Sequence, residues 1–220
     1  MNIYVIIPAY NEEKRIWQVL KDLSFLPYQV VVVDDASTDQ TVAVVRPFPV
    51  TLLRHKINRD QGAALQTGNQ YALEQGADII VHFDADGQFV ATEIEEMIAP
   101  IVSGHYDVVF GSRFLGKHSK MPWLKKSVIL PIARLVNKIV LHIELTDPQN
   151  GFRVLSRKAA QQISIEQDGK AHCSEIIAKA FGQGLKVKEV PVTVIYHHFG
   201  QGFGDGWRIL KDLLLSKIVK

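Results

Sequence analysis

The chain has 220 residues, 47% of them hydrophobic, and its 25 Lys and Arg residues against 23 Asp and Glu residues leave a formal net charge of +2 at pH 7. This composition predicts one large globular domain and excludes a disordered or highly charged protein. A net charge near zero without a long basic run argues against nucleic-acid binding. Cys173 is the only cysteine, so an intramolecular disulfide and a multi-cysteine zinc site are excluded, and a reducing, cytoplasmic location is expected.

The start of the chain predicts no export signal. Its first eight residues lack the basic segment, the long apolar stretch and the small-residue cleavage site of a signal peptide. The longest apolar runs, such as residues 30–33 and 128–133, are far shorter than the roughly 20 residues that a membrane-spanning helix needs. We therefore expect neither secretion nor a membrane span.

Short β-branched runs alternate with helical segments along the chain, which predicts an α/β fold. Thr92 and Glu95 have the spacing of a capping box that opens one of the helices. Near-continuous Val and Ile runs joined by helices indicate a mainly parallel sheet with helices on both faces. Strands are predicted at residues 3–7, 30–33, 50–53, 79–83, 108–110 and 187–195, and helices at residues 12–23, 38–45, 62–75, from 92 onward and near 174–181.

Polar residues follow four of the predicted strands. Ligands of open α/β sheets bind outside the carboxyl ends of the strands, so these segments predict one functional edge of the sheet. The four segments are Pro8-Ala-Tyr-Asn-Glu12, Asp34-Asp-Ala-Ser37, Asp84-Ala-Asp-Gly-Gln88 and Gly111-Ser-Arg113.

The segment Asp84-Ala-Asp-Gly-Gln88 is the strongest of these signals. In an extended chain residues two apart point the same way, so Asp84, Asp86 and Gln88 could converge on one point. Two carboxylates and an amide oxygen suit Mg²⁺ or Mn²⁺ with positions left for phosphate oxygens. An acidic turn that caps the following helix is the competing interpretation.

Asp34 and Asp35 follow four valines and would repel each other unless hydrogen-bond donors, such as base amino or imino groups, neutralise them. A strand end that leads to a helix N-cap is the competing interpretation, and it explains Ser37 or Thr38 better than it explains the two aspartates. The glycine-rich fingerprints of dinucleotide-binding folds and of P-loops are absent. The glycine-rich residues 200–206 are interpreted as a flexible loop or a catalytic lid.

Taken in order, these motifs make the chain resemble the inverting family 2 glycosyltransferases of GT-A fold, in the branch of dolichyl-phosphate mannose synthases and bacterial polyprenyl-phosphate sugar transferases. The resemblance extends from Ile3 to about Ile195. It implies one GT-A domain over residues 1–206, with residues 207–220 as a separate C-terminal helix. The motifs that carry it are Pro8-Ala-Tyr-Asn-Glu12, Val33-Asp-Asp-Ala-Ser-Thr-Asp39, Asp84-Ala-Asp-Gly-Gln88, Gly111-Ser-Arg113, Asp147-Pro-Gln-Asn-Gly-Phe-Arg153 and Glu189-Val-Pro-Val192.

The resemblance also implies roles for individual residues. Asp86 and Gln88 would hold the divalent cation, Mg²⁺ or Mn²⁺, that bridges the phosphates of a nucleotide-sugar donor of the GDP-mannose or UDP-glucose type. Asp86, Arg113 and Asp147 would be catalytic, and Lys125, Lys126, Arg153 and His198 are weaker candidates for contacts with the acceptor. The residues expected to bind the nucleotide sugar are Pro8, Tyr10, Glu12, Val33, Asp35, Asp84, Ala85, Asp86, Gln88 and Arg113.

A lipid phosphate is the expected acceptor, because a phosphate with a second pKa of about 6 is already ionised at pH 7 and needs no general base. A transferase that acts on a hydroxyl acceptor is the first alternative, and a non-catalytic nucleotide-sugar-binding scaffold is the second. Residues 207–220 form an amphipathic pattern, which fits either a membrane interface or packing against a partner subunit. The expected location is therefore cytoplasmic, with a peripheral position at the cytoplasmic face of the membrane as the alternative.

Overall fold

A seven-stranded sheet organises the residues that the computed structural model describes, 1–116 and 145–195. Its spatial order is β3-β2-β1-β4-β6-β5-β7. The strands are β1 (Ile3–Ala9), β2 (Gln29–Asp34), β3 (Thr51–Arg54), β4 (Ile79–His82), β5 (Val108–Ser112), β6 (Arg153–Ser156) and β7 (Val187–Pro191). The helices are α1 (Ile16–Leu23), α2 (Thr41–Val45), α3 (Asp60–Glu74), α4 (Ile94–Val102), α5 (Arg157–Gln162) and α6 (His172–Gly182), with a short 3₁₀ helix at Ala91–Glu93.

Six strands share one direction and β6 runs against them. Parallel pairing joins β1 to β2 and β4, β2 to β3, and β5 to β7, whereas β6 is antiparallel to both β4 and β5. The carboxyl ends of the six parallel strands and the start of β6 therefore lie along one edge of the sheet. The predicted α/β fold with a mainly parallel sheet is confirmed.

Alternating residues of the central strands fill two hydrophobic cores, one on each face of the sheet. Val5 and Ile7 of β1 pack with α1, α2 and α4, while Ile6 packs with α3, α5 and α6. Strands that are buried on both faces need apolar side chains at every position. This requirement explains the unbroken valines of β2, in which Val31, Val32 and Val33 are all fully buried.

Three details differ from the sequence prediction. The strand β6 was not predicted, and α1 begins at Ile16 rather than residue 12, with residues 13–15 forming a turn before it. The Thr92–Glu95 capping box is wrong, since α4 starts without a side-chain cap. Glu93 instead accepts hydrogen bonds from the backbone and hydroxyl of Thr193, both at 2.8 Å.

Several predicted features lie outside the described residues, namely the basic connection that holds Lys125 and Lys126, the glycine-rich residues 200–206, His198 and the C-terminal helix 207–220. Within residues 1–116 and 145–195, no helix combines the length and the apolar character that a membrane crossing requires.

Candidate active site

A cleft of about 510 Å³ opens at the carboxyl edge of the sheet, above β1, β2 and β4. It contains seven of the ten residues that the sequence nominated for the nucleotide sugar, which come from three separate strand ends. Its lining is Pro8, Ala9, Tyr10, Glu12, Asp35, Asn58, Asp60, Gln61, Ala64, Asp84, Ala85, Asp86, Gly169 and Lys170.

Unusual backbone geometry shapes this edge. Among the described residues, the three non-glycine residues with positive φ are Asn11, Ala36 and Asp60, at 55°, 61° and 68°. Asn11 lies just after β1, Ala36 just after β2, and Asp60 at the start of α3. Asn11 joins the first two loops, because its side-chain oxygen accepts a hydrogen bond of 2.9 Å from the backbone of Thr38. Strained conformations of this kind concentrate at functional sites, where neighbouring contacts hold them.

The two adjacent aspartates at the end of β2 have different environments. Asp34 has no exposed surface and pairs with Arg54 at 3.2 Å. Asp35 lines the cleft, where His55 Nδ1 lies 2.7 Å from its Oδ1 and the backbone N–H of Arg59 donates to both carboxylate oxygens at 3.0 and 3.1 Å. The backbone of Arg59 and the ring of His55 therefore fix Asp35 as a rigid acceptor facing the cleft.

The segment after β4 is a turn rather than the extended chain that the sequence suggested. Gly87 has a φ of +72°, and the backbone N–H of Gln88 folds back to Oδ1 of Asp86 at 3.0 Å. As a result Asp84 and Asp86 line the cleft while Gln88 does not. The predicted convergence of all three side chains through extended chain is therefore wrong, because the glycine reverses the chain between Asp86 and Gln88.

Asp84 is held in the floor of the cleft. Its Oδ1 accepts a hydrogen bond of 2.8 Å from Gln61, and its carboxylate packs so closely on Gly151 that a Cβ there would overlap it. Burial and the neighbouring Asp86 carboxylate raise the pKa of Asp84 to about 7. Burial also raises the pKa of Glu12, with a contribution from Asp86 that Arg15 opposes.

These carboxylates suit a divalent cation that is completed by its substrate. The negative charge of Asp86 reaches both Glu12 and Asp84, so the cleft concentrates the hard oxygen ligands that Mg²⁺ and Mn²⁺ prefer. In residues 1–116 and 145–195, no group of three or more His, Cys, Asp or Glu side chains is arranged to hold a metal by itself. A cation at Asp86 would thus need further oxygen ligands, such as those of a diphosphate.

Arg113 and Asp147 form a two-pronged salt bridge at the same edge of the sheet, and neither residue lines the cleft. Arg113 follows β5, and its Nε and Nη2 donate to the two oxygens of Asp147 at 2.6 and 3.0 Å. The backbone N–H of Arg113 donates to the same carboxylate at 3.1 Å. Asp147 is almost fully buried, so this residue fixes one orientation of the guanidinium, which remains partly exposed.

Glu189 of β7 holds the loop that carries Asp147. Its carboxylate accepts hydrogen bonds from the backbone N–H and hydroxyl of Thr146 and from the backbone N–H of Asp147, at 2.8 to 3.1 Å. Asn150 adds a bond of 3.2 Å to Asp147. The motif that contains Glu189 therefore acts on the site by supporting the Arg113–Asp147 pair.

Two other predicted contacts lie in the interior. Val33 is fully buried in the core beneath α3, so its side chain packs and does not reach a ligand. Arg153 is also fully buried, so as placed its guanidinium does not reach an acceptor at the surface. Lys125, Lys126 and His198 lie outside the described residues.

A second, more apolar groove of about 740 Å³ lies on the other side of Asp86, which lines both spaces. Its apolar members come from α1 and the turn after it, from the segment after β4, and from Ile195 beyond β7. Lys14 and Arg15 lie at its edge. The apolar lining includes Val19, Phe25, Leu26, Phe83, Phe89, Val90, Ala91 and Ile195.

Sequence reasoning missed several residues that shape the cleft. His55 and Arg59 hold Asp35 from the loop after β3, a strand whose end carried no obvious polar motif. Gln61 and Lys170 line the cleft from α3 and from the turn before α6. The alternation of strands and helices could have indicated the loop after β3, whereas the approach of residues 169 and 170 depends on tertiary packing.

The chain belongs to glycosyl transferase family 2, whose model matches residues 4–164, and it has the GT-A fold of these enzymes. It is 36% identical to an uncharacterized protein of Methanocaldococcus jannaschii, over 98% of this chain and 92% of that protein. It is 33% identical to the UDP-N-acetylglucosamine–dolichyl-phosphate N-acetylglucosaminyltransferase of Methanococcus voltae, over 99% of this chain and 97% of the relative.

Solved structures support the fold. Glucosyl-3-phosphoglycerate synthase from Mycobacterium tuberculosis, in complex with Mn²⁺, UDP and its product, superposes with a TM-score of 0.71 at 18% identity, over 97% of this chain and 78% of that one. The same enzyme has been crystallised with Mg²⁺ and UDP. The chain is therefore a family 2 glycosyltransferase, and the recognition made from its sequence motifs is confirmed.

Proposed function

We propose that this glycosyltransferase moves a sugar from a UDP-sugar to a polyprenyl phosphate of the dolichyl type, with inversion at the anomeric carbon and with Mg²⁺ or Mn²⁺. The relative from Methanococcus voltae, named for a UDP-sugar donor and dolichyl phosphate, favours this donor and acceptor. A lipid-linked acceptor also places the reaction at a membrane surface.

The cleft supports a nucleotide-sugar donor. Asp35 is fixed as an acceptor for the N–H groups of a base or the hydroxyls of a ribose. Asp84 lies on the cleft floor between β4 and α3, where a ribose hydroxyl can donate to it. Asp86 would hold the divalent cation, with the oxygens of the donor diphosphate as further ligands. When bound, that cation neutralises the negative charge that grows on the departing diphosphate.

The salt bridge between Asp147 and Arg113 is the observation that most favours a phosphate acceptor over a hydroxyl acceptor. A hydroxyl acceptor needs a general base, but both oxygens of Asp147 accept hydrogen bonds from the guanidinium of Arg113. A phosphate monoester is already ionised near pH 7 and is attracted to the partly exposed Arg113 cation. The apolar groove on the other side of Asp86 offers space for an isoprenoid chain.

The donor assignment is tested with UDP, Mn²⁺ and the variant D86N. We expect calorimetry to show Mn²⁺-dependent UDP binding by the native chain and at least about tenfold weaker binding by D86N. The matched control is D22N, which removes an exposed carboxylate of the apolar groove that pairs with Gln18 at 2.7 Å. Equal Mn²⁺-dependent binding by D86N and native chain would refute the metal assignment.

Product chemistry tests the acceptor. With UDP-N-acetylglucosamine and dolichyl phosphate, we expect a lipid product that mild acid hydrolyses, because a sugar phosphate ester is more acid-labile than an ordinary glycoside. Transfer only to a hydroxyl acceptor, with an acid-resistant product, would overturn the phosphate assignment and favour the hydroxyl-directed alternative. Nucleotide binding without transfer to any acceptor would favour the scaffold alternative.

A further inference from the structure

A buried positive charge lies beneath the cleft. Arg153, the first residue of β6, has no exposed surface, and none of its three guanidinium nitrogens has a hydrogen-bond partner in the described part of the chain. A guanidinium does not lose its proton in proteins. An unpaired buried charge strongly destabilises the fold. Arg153 therefore requires an anion near it.

Among residues 1–116 and 145–195, the groups within electrostatic reach of Arg153 that can carry negative charge are Asp84 and Cys173. Asp84 already accepts a hydrogen bond from Gln61 and packs against Gly151, and it faces the cleft. Cys173 in the first turn of α6 is only 8% exposed. The thiol of Cys173 is the remaining anionic candidate, and the catalytic roles proposed above do not use it.

The ring of His172 lies against this sulfur. Its Nδ1 donates to the carbonyl oxygen of Gly169 at 2.8 Å, and its Nε2 lies 3.5 Å from Sγ of Cys173, where a ring that carries a hydrogen on Nε2 as well can donate to a thiolate. Burial raises the pKa of the thiol, but the charge of Arg153 and the contact with His172 outweigh it and bring the pKa of Cys173 to about 6.

We propose that Cys173 is the anionic partner of Arg153, and that this buried thiolate–guanidinium pair is a positioning element for the floor of the donor cleft. Without the thiolate, Asp84 would be the remaining counter-ion for Arg153 and would be drawn towards it and away from Gln61. With the thiolate present, Asp84 stays directed to the cleft. This effect on the cleft rests on the function proposed above, whereas the ion pair rests on the buried residues alone.

The other charged or titratable groups around the pair are consistent with this arrangement. His82 of β4 lies opposite Arg153 in the strand register. Burial and the positive charges of Arg153 and His172 hold the pKa of His82 well below its usual value, so His82 adds no positive charge at neutral pH. In the part of the chain that the structure describes, Asp84 and Cys173 are then the negative groups that interact with the charge of Arg153.

The thiolate itself is directly observable, because Cys173 is the only cysteine of the chain. A thiolate absorbs near 240 nm and a thiol does not, so the difference between the native chain and C173S, followed from about pH 5 to about pH 9, gives its titration. We expect a midpoint at least one unit below the ordinary value of about 8.5. A native midpoint at or above that value would overturn the proposal.

Two further variants test whether Arg153 causes the lowered titration midpoint of Cys173. In R153M we expect the midpoint to rise by more than about one unit, and an unchanged midpoint would refute Arg153 as the partner. R153K keeps the positive charge and should keep most of the shift, which decides the question if R153M does not fold. The control C173S/S24C carries an exposed thiol after α1 and should titrate in the ordinary range.

Binding of UDP with Mn²⁺ tests the effect on the cleft. We expect C173S to weaken it about three- to tenfold, while E95Q, which removes an exposed carboxylate of α4, does not. A depressed thiolate midpoint with unchanged UDP binding would overturn the positioning role. If the native chain does not bind UDP at all, the proposed function fails, but the absorbance titration still decides whether the ion pair exists.

Discussion

At the scale of single residues, the salt bridge between Asp147 and Arg113 determines where a positive charge lies at the carboxyl edge of the sheet. We expect D147N to lower kcat by about a hundredfold, because one amide cannot accept both guanidinium bonds and the charge loses its fixed position. Loss of a nearly buried charged partner should also cost about 2 kcal/mol of stability. Steady-state kinetics with saturating donor and urea unfolding measure the two effects.

D107N provides the control for a general loss of stability. Asp107 accepts hydrogen bonds from Lys158 at 3.2 Å and from the backbone of Lys186 at 2.9 Å, and it precedes β5, at the end of that strand opposite Arg113. D107N should reduce the free energy of unfolding and leave kcat within about twofold. If D147N and D107N lower kcat equally, the special role of the Arg113–Asp147 pair is wrong.

The sequence predicted most cleft residues because strand ends of a parallel sheet converge. Asp35, Asp84 and Asp86 follow Val- or Ile-rich runs, and the sheet brings them to one edge. Gln88 could not be placed in this way, since the positive φ of Gly87 turns the chain. The support of Asp35 by His55 was equally hidden, because it joins residues 20 positions apart.

At the scale of elements, Glu93 joins the start of α4 to the segment after β7. Its two hydrogen bonds to Thr193 are both 2.8 Å long, and its side chain is buried. E93Q should lower the free energy of unfolding by about 1 to 2 kcal/mol, because an amide accepts at one oxygen only. For a chain of this size the thermal midpoint should fall by about 3 to 6 °C, which differential scanning calorimetry measures.

E95Q is the matched control in the same helix. Glu95 is exposed, and the capping box that the sequence suggested for it does not form. Its substitution should change the thermal midpoint by less than about 1 °C. An equal loss in E95Q and E93Q would mean that helix-end charge, rather than the bond to Thr193, stabilises this junction.

The strand β6 shows the limit of prediction at this scale. It has four residues and begins with a charged side chain, Arg153, so neither an apolar run nor an alternating pattern marks it. It pairs with β4 on one side and with β5 on the other, so its position depends on how these two strands are arranged in the assembled sheet. The strands β1, β2 and β4, by contrast, can be recognised from their own runs of Val and Ile.

The apolar groove beside α1 gives a prediction for the acceptor chain. Phe25 lines the groove and is 78% exposed, so F25S should leave the fold intact. Loss of its contact with an isoprenoid chain should raise KM for a long-chain polyprenyl phosphate about fivefold, which corresponds to roughly 1 kcal/mol. KM for a short-chain phosphate acceptor should stay the same.

F181S is the control for this change, because Phe181 is a partly exposed residue of α6, on the opposite face of the sheet. It should affect neither KM value. Equal effects of F25S on long and short acceptors would show that the isoprenoid chain does not bind in this groove. The product analysis alone would then test whether the acceptor is a phosphate.

At the scale of the whole molecule, one sheet separates two hydrophobic cores, and some polar groups are buried between the sheet and the helices. The protonation of such buried groups makes the stability of the fold depend on pH. Most of these groups accept or donate within the fold, as Asp35 and Asp147 do. His82 differs, because only its Nε2 has a partner, Asn69 at 2.8 Å, while its Nδ1 is buried without one. The ring is therefore neutral, with its proton on Nε2.

This neutral histidine predicts a loss of stability in mild acid. Burial and the nearby charges of Arg153 and His172 hold the pKa of His82 well below its usual value, so below about pH 6.5 the unfolded chain takes up a proton that the folded chain refuses. The free energy of unfolding should then fall by up to about 1.4 kcal/mol for each pH unit from this group. Urea unfolding between about pH 7 and about pH 5 measures the total slope, to which Asp84 and Cys173, with pKa values of about 7 and about 6, also contribute.

H82Q separates this effect from the other titrating groups. Its amide can donate to Asn69 as Nε2 of His82 does, but it cannot titrate, so the slope between pH 7 and pH 5 should decrease by about one proton. H105Q changes an exposed histidine of the loop before β5 and should leave the slope as it is. If H82Q keeps the native slope, His82 binds a proton in the folded chain as readily as in the unfolded one. The positive charge of Arg153 then does not lower the pKa of His82, so it must be neutralised by more negative charge than the Cys173 thiolate supplies.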